Sequence, residues 1–145
     1  MDSGQNFGNH RRVVPMYHVV TLLGSFIVFV GSIVNLVKSI GAGGSIYDAS
    51  LILAMAFVLM LAATYARVFA LKVQDRVIRM EENWRHFRRT GNMLDDRLTM
   101  RQIIGLRFAS DDEYDELSAR AISEGMSEKE IKQAIKNWRG DYVRA

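Results

Sequence analysis

Apolar residues run almost unbroken from Val13 to Val37 and again from Ala49 to Ala66, whereas from Lys72 onward charged residues recur every few positions. A helix rises ~1.5 Å per residue, and about 20 apolar residues cross a hydrocarbon core, so each run suits a transmembrane helix. The pattern predicts a cytoplasmic tail at 1–12, a first membrane helix at 13–37 and a short external loop at 38–48. A second membrane helix at 49–71 and a cytoplasmic helical domain at 72–145 complete the expected order. Pro15 suits a first helical turn, where its missing N–H has no intrahelical partner to lose. Tyr17 and His18 fall at interfacial depth, Asp48 is a candidate N-cap, and Arg67 is close enough to the far interface to reach water. The first apolar run is longer than the 7–15 residues usual for a cleaved signal peptide, so it is read as a retained span.

No glycine or proline interrupts KVQDRVIRMEENWRHFRR after Leu71. The second helix is therefore expected to continue to about Thr90, with Gly91 and Asn92 ending it. Along this extension Val73, Val77, Met80, Trp84 and Phe87 alternate steps of four and three, gathering into one apolar seam. The same steps taken backward meet Ala70, Ala66, Ala63 and Leu59, which would carry the seam into the membrane. Three capping boxes announce shorter helices: Thr99 with Gln102, Ser110 with Glu113, and Ser127 with Glu130. Their apolar positions (Ile103, Ile104 and Leu106; Tyr114, Leu117, Ala121 and Ile122; Ile131, Ala134, Ile135 and Trp138) are too few for separate cores, so these helices are expected to fold on the seam. The fold class is all-α: an integral membrane helical hairpin whose long second helix extends into a small cytoplasmic domain.

Small residues mark where the spans would pack, because dispersion contacts between close backbones drive helix association in lipid. Gly24 and Gly31 are seven apart, as are Ser25 and Ser32, and Ala49, Ala56, Ala63 and Ala70 repeat at the same interval. A seven-residue repeat favours left-handed pairing. Asn35, a polar amide within a span, reads as a cap or an interhelical hydrogen-bond donor.

Charge adds orientation. Arg11 and Arg12 precede the first span, Lys38 alone lies in the connecting loop, and Lys72, Arg76, Arg79, Arg85, Arg88 and Arg89 follow the second. This bias places both termini in the cytoplasm. Arg67, Lys72, Arg76 and Arg79 are candidate contacts to lipid head groups or to a partner. The net charge of +3 is too small to imply nucleic acid as a partner.

The chemistry of catalysis is not legible. With no cysteine, thiolate sites and a cysteine nucleophile are excluded. His10, His18 and His86 lack neighbours at metal-ligand spacing, and His18 reads as an interfacial ring rather than a haem or pigment ligand. The acidic group Asp111, Asp112, Glu113, Asp115 and Glu116 opens a helix, where the dipole favours negative charge; Asp95 and Asp96 form a lone pair. No triad, phosphate loop or zinc motif is present. The expectation is a non-enzyme with no cofactor, no metal and no small-molecule substrate.

The stretches YHVVTLLGSFIVFVGSIVNLVKS (Tyr17 to Ser39), RVFALKVQDRVIRMEE (Arg67 to Glu82), LRFAS (Leu106 to Ser110) and KQAIKNWRGDYVRA (Lys132 to Ala145) resemble an uncharacterised family of small bacterial two-helix membrane proteins, known only as a domain of unknown function. The resemblance implies topology and a bacterial inner-membrane location, not an activity. The expected role is a non-enzymatic accessory, structural or assembly subunit beside a larger membrane complex, respiratory or photosynthetic complexes being natural hosts. The alternative is a self-associating membrane-anchored regulator held by the coiled-coil seam. The lipid bilayer and either other membrane subunits or a second copy are the expected partners. The tail KNWRGDYVRA, with Trp138 and Tyr142, is either a contact surface or the last piece of the small domain's core.

Overall fold

The computed structural model describes residues 4–9 and 14–141, and the regular elements of the described chain are helices, with one isolated antiparallel bridge between Ala109 and Trp138. It divides into two compact units, one of residues 12–70 and one of 1–11 with 71–145. His10, Arg11, Arg12 and Tyr142 lie outside the described residues.

The first unit is a helical hairpin. It opens with a π-helical stretch, Met16–Leu23, and continues as α1, Gly24–Ala42. Gly43, at φ +69°, closes α1 in the left-handed conformation, and the N–H groups of Gly43 and Gly44 both donate to the Ser39 carbonyl. A residue with a side chain resists that conformation, so glycine fits here. The next helix, α2, is Ile46–Thr90. Most of the expected loop at 38–48 is therefore helical, and only residues 43–45 make the turn. Ser45, rather than Asp48, caps α2: its Oγ accepts from the Asp48 N–H at 3.3 Å. Asp48 instead adds negative charge to the first turn, where the helix dipole favours it.

Within the hairpin the two lines of small residues behave differently. Ser25 and Ser32 on α1 are buried, as are Ala49 and Ala56 on α2, with Ala63 half-buried and Ala70 exposed. Ser25 Oγ donates to the Leu22 carbonyl and Ser32 Oγ to the Phe29 carbonyl, so both hydroxyls are satisfied on their own helix and act as small packing residues. Phe29 packs on Phe57 with ring centroids 6.1 Å apart. Gly24 is half-buried and Gly31 exposed, and a Cβ at either would meet nothing within 4 Å. The glycines thus lie off the contact that the serines and alanines make. Asn35 is exposed and makes no side-chain hydrogen bond among the described residues. At the open end Tyr17 donates from its hydroxyl to the Ala63 carbonyl at 3.0 Å, and the Arg67 guanidinium lies over its ring at 5.7 Å.

The second unit is a small helical domain built on the last part of α2. Gly91, at φ +75°, ends α2 as its position after Thr90 predicts, its N–H donating to the Phe87 carbonyl. Three short helices follow: α3, Met100–Leu106; α4, Asp111–Ser123; and α5, Glu128–Ala134. Their apolar faces enclose Leu98, Ile103, Leu106, Phe108, Tyr114, Leu117, Ala121 and Ile131. Trp138 lies against Phe108 at 5.2 Å and is half-buried, so this part of the tail completes the core.

Two of the three capping boxes form, at Thr99 with Gln102 and at Ser127 with Glu130. Gln102 does more than cap, since its Nε2 donates to the carbonyls of Ala121 and Met126 and so ties α3 to the end of α4. The box at Ser110 and Glu113 does not form. Glu113 reaches instead across to the chain after α5, accepting from the N–H groups of Lys136 and Asn137 at 3.0 Å each. Gln5 exchanges two hydrogen bonds with the backbone of Asp141, so the expected N-terminal tail is held at that point.

Candidate interaction surface

α2 carries two faces through the second unit, and they have opposite fates. Ile78, Glu82 and Arg85 are buried and Asn83 and His86 half-buried. The expected seam of Val73, Val77, Met80, Trp84 and Phe87 stays open, its members 39% to 65% exposed. The expectation that α3, α4 and α5 fold on the seam is therefore corrected. In heptad terms, with Val77 and Trp84 at a and Val73, Met80 and Phe87 at d, the buried residues occupy b and f, and the half-buried Asn83 and His86 occupy g and c.

The covered face is fastened by charge. Arg85 Nε donates to Asp111 Oδ1 at 2.7 Å, Nη1 to Glu82 Oε2 at 3.0 Å and Nη2 to the Ala109 carbonyl at 2.7 Å. Its guanidinium lies 4.7 Å from the centre of the Tyr114 ring, a cation–π contact. Arg89 Nη2 bonds Asp115 Oδ2 at 2.7 Å, His86 Nδ1 lies 3.3 Å from Asp115 Oδ1, and Arg139 approaches Glu82 at 3.5 Å. Burial alone would lower the Arg85 pKa, but Glu82 and Asp111 more than offset it, and the group is held above its ordinary value. The hydrogen bond from Arg85 lowers the Asp111 pKa. Burial, reinforced by the Glu82 carboxylate, raises that of the Tyr114 hydroxyl. Each carboxylate here faces a cation, and Arg85, Asp111 and Tyr114 are each stabilised in their ordinary state at neutral pH. That is the chemistry of a clasp, unlike acid–base catalysis, where pKa values are pulled toward neutrality.

Apolar periodicity does not mark this clasp, because its residues are charged. Its signal was nevertheless present: Glu82, Arg85 and Arg89 are spaced three and four apart, and Asp111 and Asp115 four apart, so each set shares one helix face. The acidic cluster therefore serves two ends, favouring the first turns of α4 and holding α4 to α2.

On the open side Trp84 and Phe87 stack with ring centroids 5.9 Å apart. Beside them lies a groove of about 420 Å³ lined by Arg76, Arg79, Met80, Asn83, Trp84 and Met93. Asn83 shapes it by accepting the Leu94 N–H at 3.2 Å, which draws the chain after α2 alongside the helix. Of the four candidate head-group or partner contacts, Arg67 is engaged with Tyr17, and Lys72, Arg76 and Arg79 are exposed.

No curated protein and no solved structure matches this chain. The model of the Family of unknown function (DUF6526) matches residues 1–145, and the chain belongs to that family.

Proposed function

We propose that this is a non-enzymatic, bilayer-anchored protein of the bacterial inner membrane whose open stripe on α2 docks onto another protein chain, the role of an accessory or assembly subunit. One observation carries the reading: the domain's own helices occupy the opposite face of α2 and leave Val73, Val77, Met80, Trp84 and Phe87 uncovered. Burying a side chain of this size is worth about 1.5–3 kcal/mol. A contiguous stripe of five therefore favours association, and such patches mark interaction sites.

The membrane part of the proposal rests on two helices long and apolar enough to cross a bilayer, Met16–Ala42 and the apolar portion of Ile46–Thr90. Only 11% of each apolar window is buried, whereas a core helix of a water-soluble fold would be mostly covered. The pairing of Gln5 with Asp141 supports both termini on one side, because the first precedes both spans and the second follows them. The excess of lysine and arginine after the second span makes that side the cytoplasm. The second reading, a self-associating regulator, is favoured by the charges that flank the stripe.

The test uses single-cysteine variants in sealed bacterial membrane vesicles with an impermeant maleimide. Tyr47→Cys should label only from the periplasmic face and Lys129→Cys only from the cytoplasmic face. Val77→Cys should resist labelling until detergent is added. Labelling of Val77→Cys as fast as Lys129→Cys in intact membranes would mean the stripe has no occupant, and the proposal would fail.

A further inference from the structure

We infer that the stripe on α2 is occupied by the same stripe of a second copy, the two α2 helices lying parallel. This rests on the docking surface proposed above and names its occupant.

Three observations point to a like chain. First, the register is that of a two-stranded coiled coil: apolar residues fill every a and d position from Val73 to Phe87 and are exposed, whereas the residues the domain buries, Ile78, Glu82 and Arg85, fall at b and f, and Asn83 at g is partly covered beside the seam. A second helix can therefore approach without displacing α3, α4 or α5. Second, the flanking charges complement themselves. Arg76 falls at g and Glu81 at the following e, the two positions that meet between chains in a parallel pair. Both are exposed, and neither has an ion-pair partner among the described residues. Two-fold symmetry forms the pair twice, and the next such pair, Asn83 with Arg88, brings no like charges together. Third, copies inserted in one bilayer with the same orientation already run parallel, so the membrane selects the direction that the charges require.

The partnership begins at the end of the hairpin contact. Ala49 and Ala56 continue the same seven-residue series toward the N-terminus, but they are buried inside their own hairpin, and the series is exposed from Ala70 on. A seam running between copies from Leu59 to Phe87 is thereby shortened to its last two heptads. So short a coil is weak between free chains in water, and confinement to a membrane supplies the missing effective concentration.

The chain has no cysteine, so each introduced thiol reports alone. The full-length protein in lipid vesicles, carrying Val73→Cys, Met80→Cys or Phe87→Cys, is oxidised briefly, with Lys129→Cys as reference. Same-residue disulfides at all three stripe positions, with little at Lys129→Cys, support the parallel pair. Cross-linking at Met80→Cys alone would indicate antiparallel contact and overturn the inference, as would equal cross-linking at the reference. No cross-linking in lipid vesicles, with Val77→Cys still protected from maleimide in bacterial membrane vesicles, would leave a docked stripe whose occupant is another protein, ending this inference but not the docking reading. In the Met80→Cys background, Arg76→Glu or Glu81→Arg should each slow cross-linking roughly tenfold, and the two together should restore it. Failure of the double exchange to restore cross-linking would overturn the register.

Discussion

Arg85 Nε donates to Asp111 Oδ1 at 2.7 Å, and this bond joins the long helix α2 to the first turn of α4. The residue just before it, Trp84, points the other way and is exposed. A single helical turn of α2 thus separates what holds the domain together from what it offers to others.

Arg85→Gln should cost about 3–5 kcal/mol, because Glu82 would be left buried with its nearest cation removed. Denaturant melts of the full-length protein in lipid, followed by a near-ultraviolet signal from Trp138, would measure it. A loss below 1 kcal/mol would show that the cluster does not fasten α4.

Acid should loosen the same joint. The Asp111 pKa in the folded protein lies below its ordinary value of 3.8, principally through the Arg85 hydrogen bond. A depressed carboxylate contributes stability that is complete above its unfolded pKa and lost as pH falls through the folded one. Stability should thus be level from neutrality to about pH 5 and fall below pH 4, and Asp111→Asn should lower the plateau and flatten that fall. Asp111 is largely open to solvent, so the change should be modest.

Gly105→Ala should destabilise the domain by about 1–3 kcal/mol. An added Cβ would stand 3.1 Å from Ile131 Cγ2 and 3.2 Å from the Glu128 carbonyl oxygen, and that backbone cannot yield without moving α5. Thermal unfolding compares it with Gly31→Ala, which meets open space and should leave the midpoint unchanged.

The hairpin should respond in the reverse order to that suggested by its glycines. Ala56→Leu, at a buried position, should separate the two helices of the hairpin and increase protease sensitivity, whereas Gly24→Ala and Gly31→Ala should be silent. Limited proteolysis in nanodiscs would discriminate them. Sensitivity on changing the glycines would place the packing line there instead.

Much of the fold was legible because it follows from periodicity and local chemistry. The unbroken run after Leu71 and Gly91 beyond it set the extent of α2, and Thr99 with Gln102 and Ser127 with Glu130 marked the starts of α3 and α5. The face on which the domain folds was not legible, for a physical reason. Apolar patterning ranks Val73 to Phe87 above Ile78, Glu82 and Arg85, yet a guanidinium with two carboxylates, a carbonyl and the Tyr114 ring around it can be buried without a net penalty of isolation. Likewise Ser110 and Glu113 have the spacing of a cap, but the free N–H groups of Lys136 and Asn137 compete for the same carboxylate from a distance that no local motif encodes. On α1 the expected packing residues are Gly24 and Gly31, but the serine line has the same interval and is the one that is buried. Only the partner helix distinguishes them.

The central claim is that the stripe opposite the clasp serves association and not the domain's own stability. Its most direct test is native mass determination of the full-length protein in lipid nanodiscs, comparing the parent with the Val73→Asp, Val77→Asp double variant. The parent should appear chiefly as an assembly and the variant chiefly as a single chain with an unchanged unfolding midpoint. An unchanged assembled mass in the variant, with its protease resistance retained, would contradict the account.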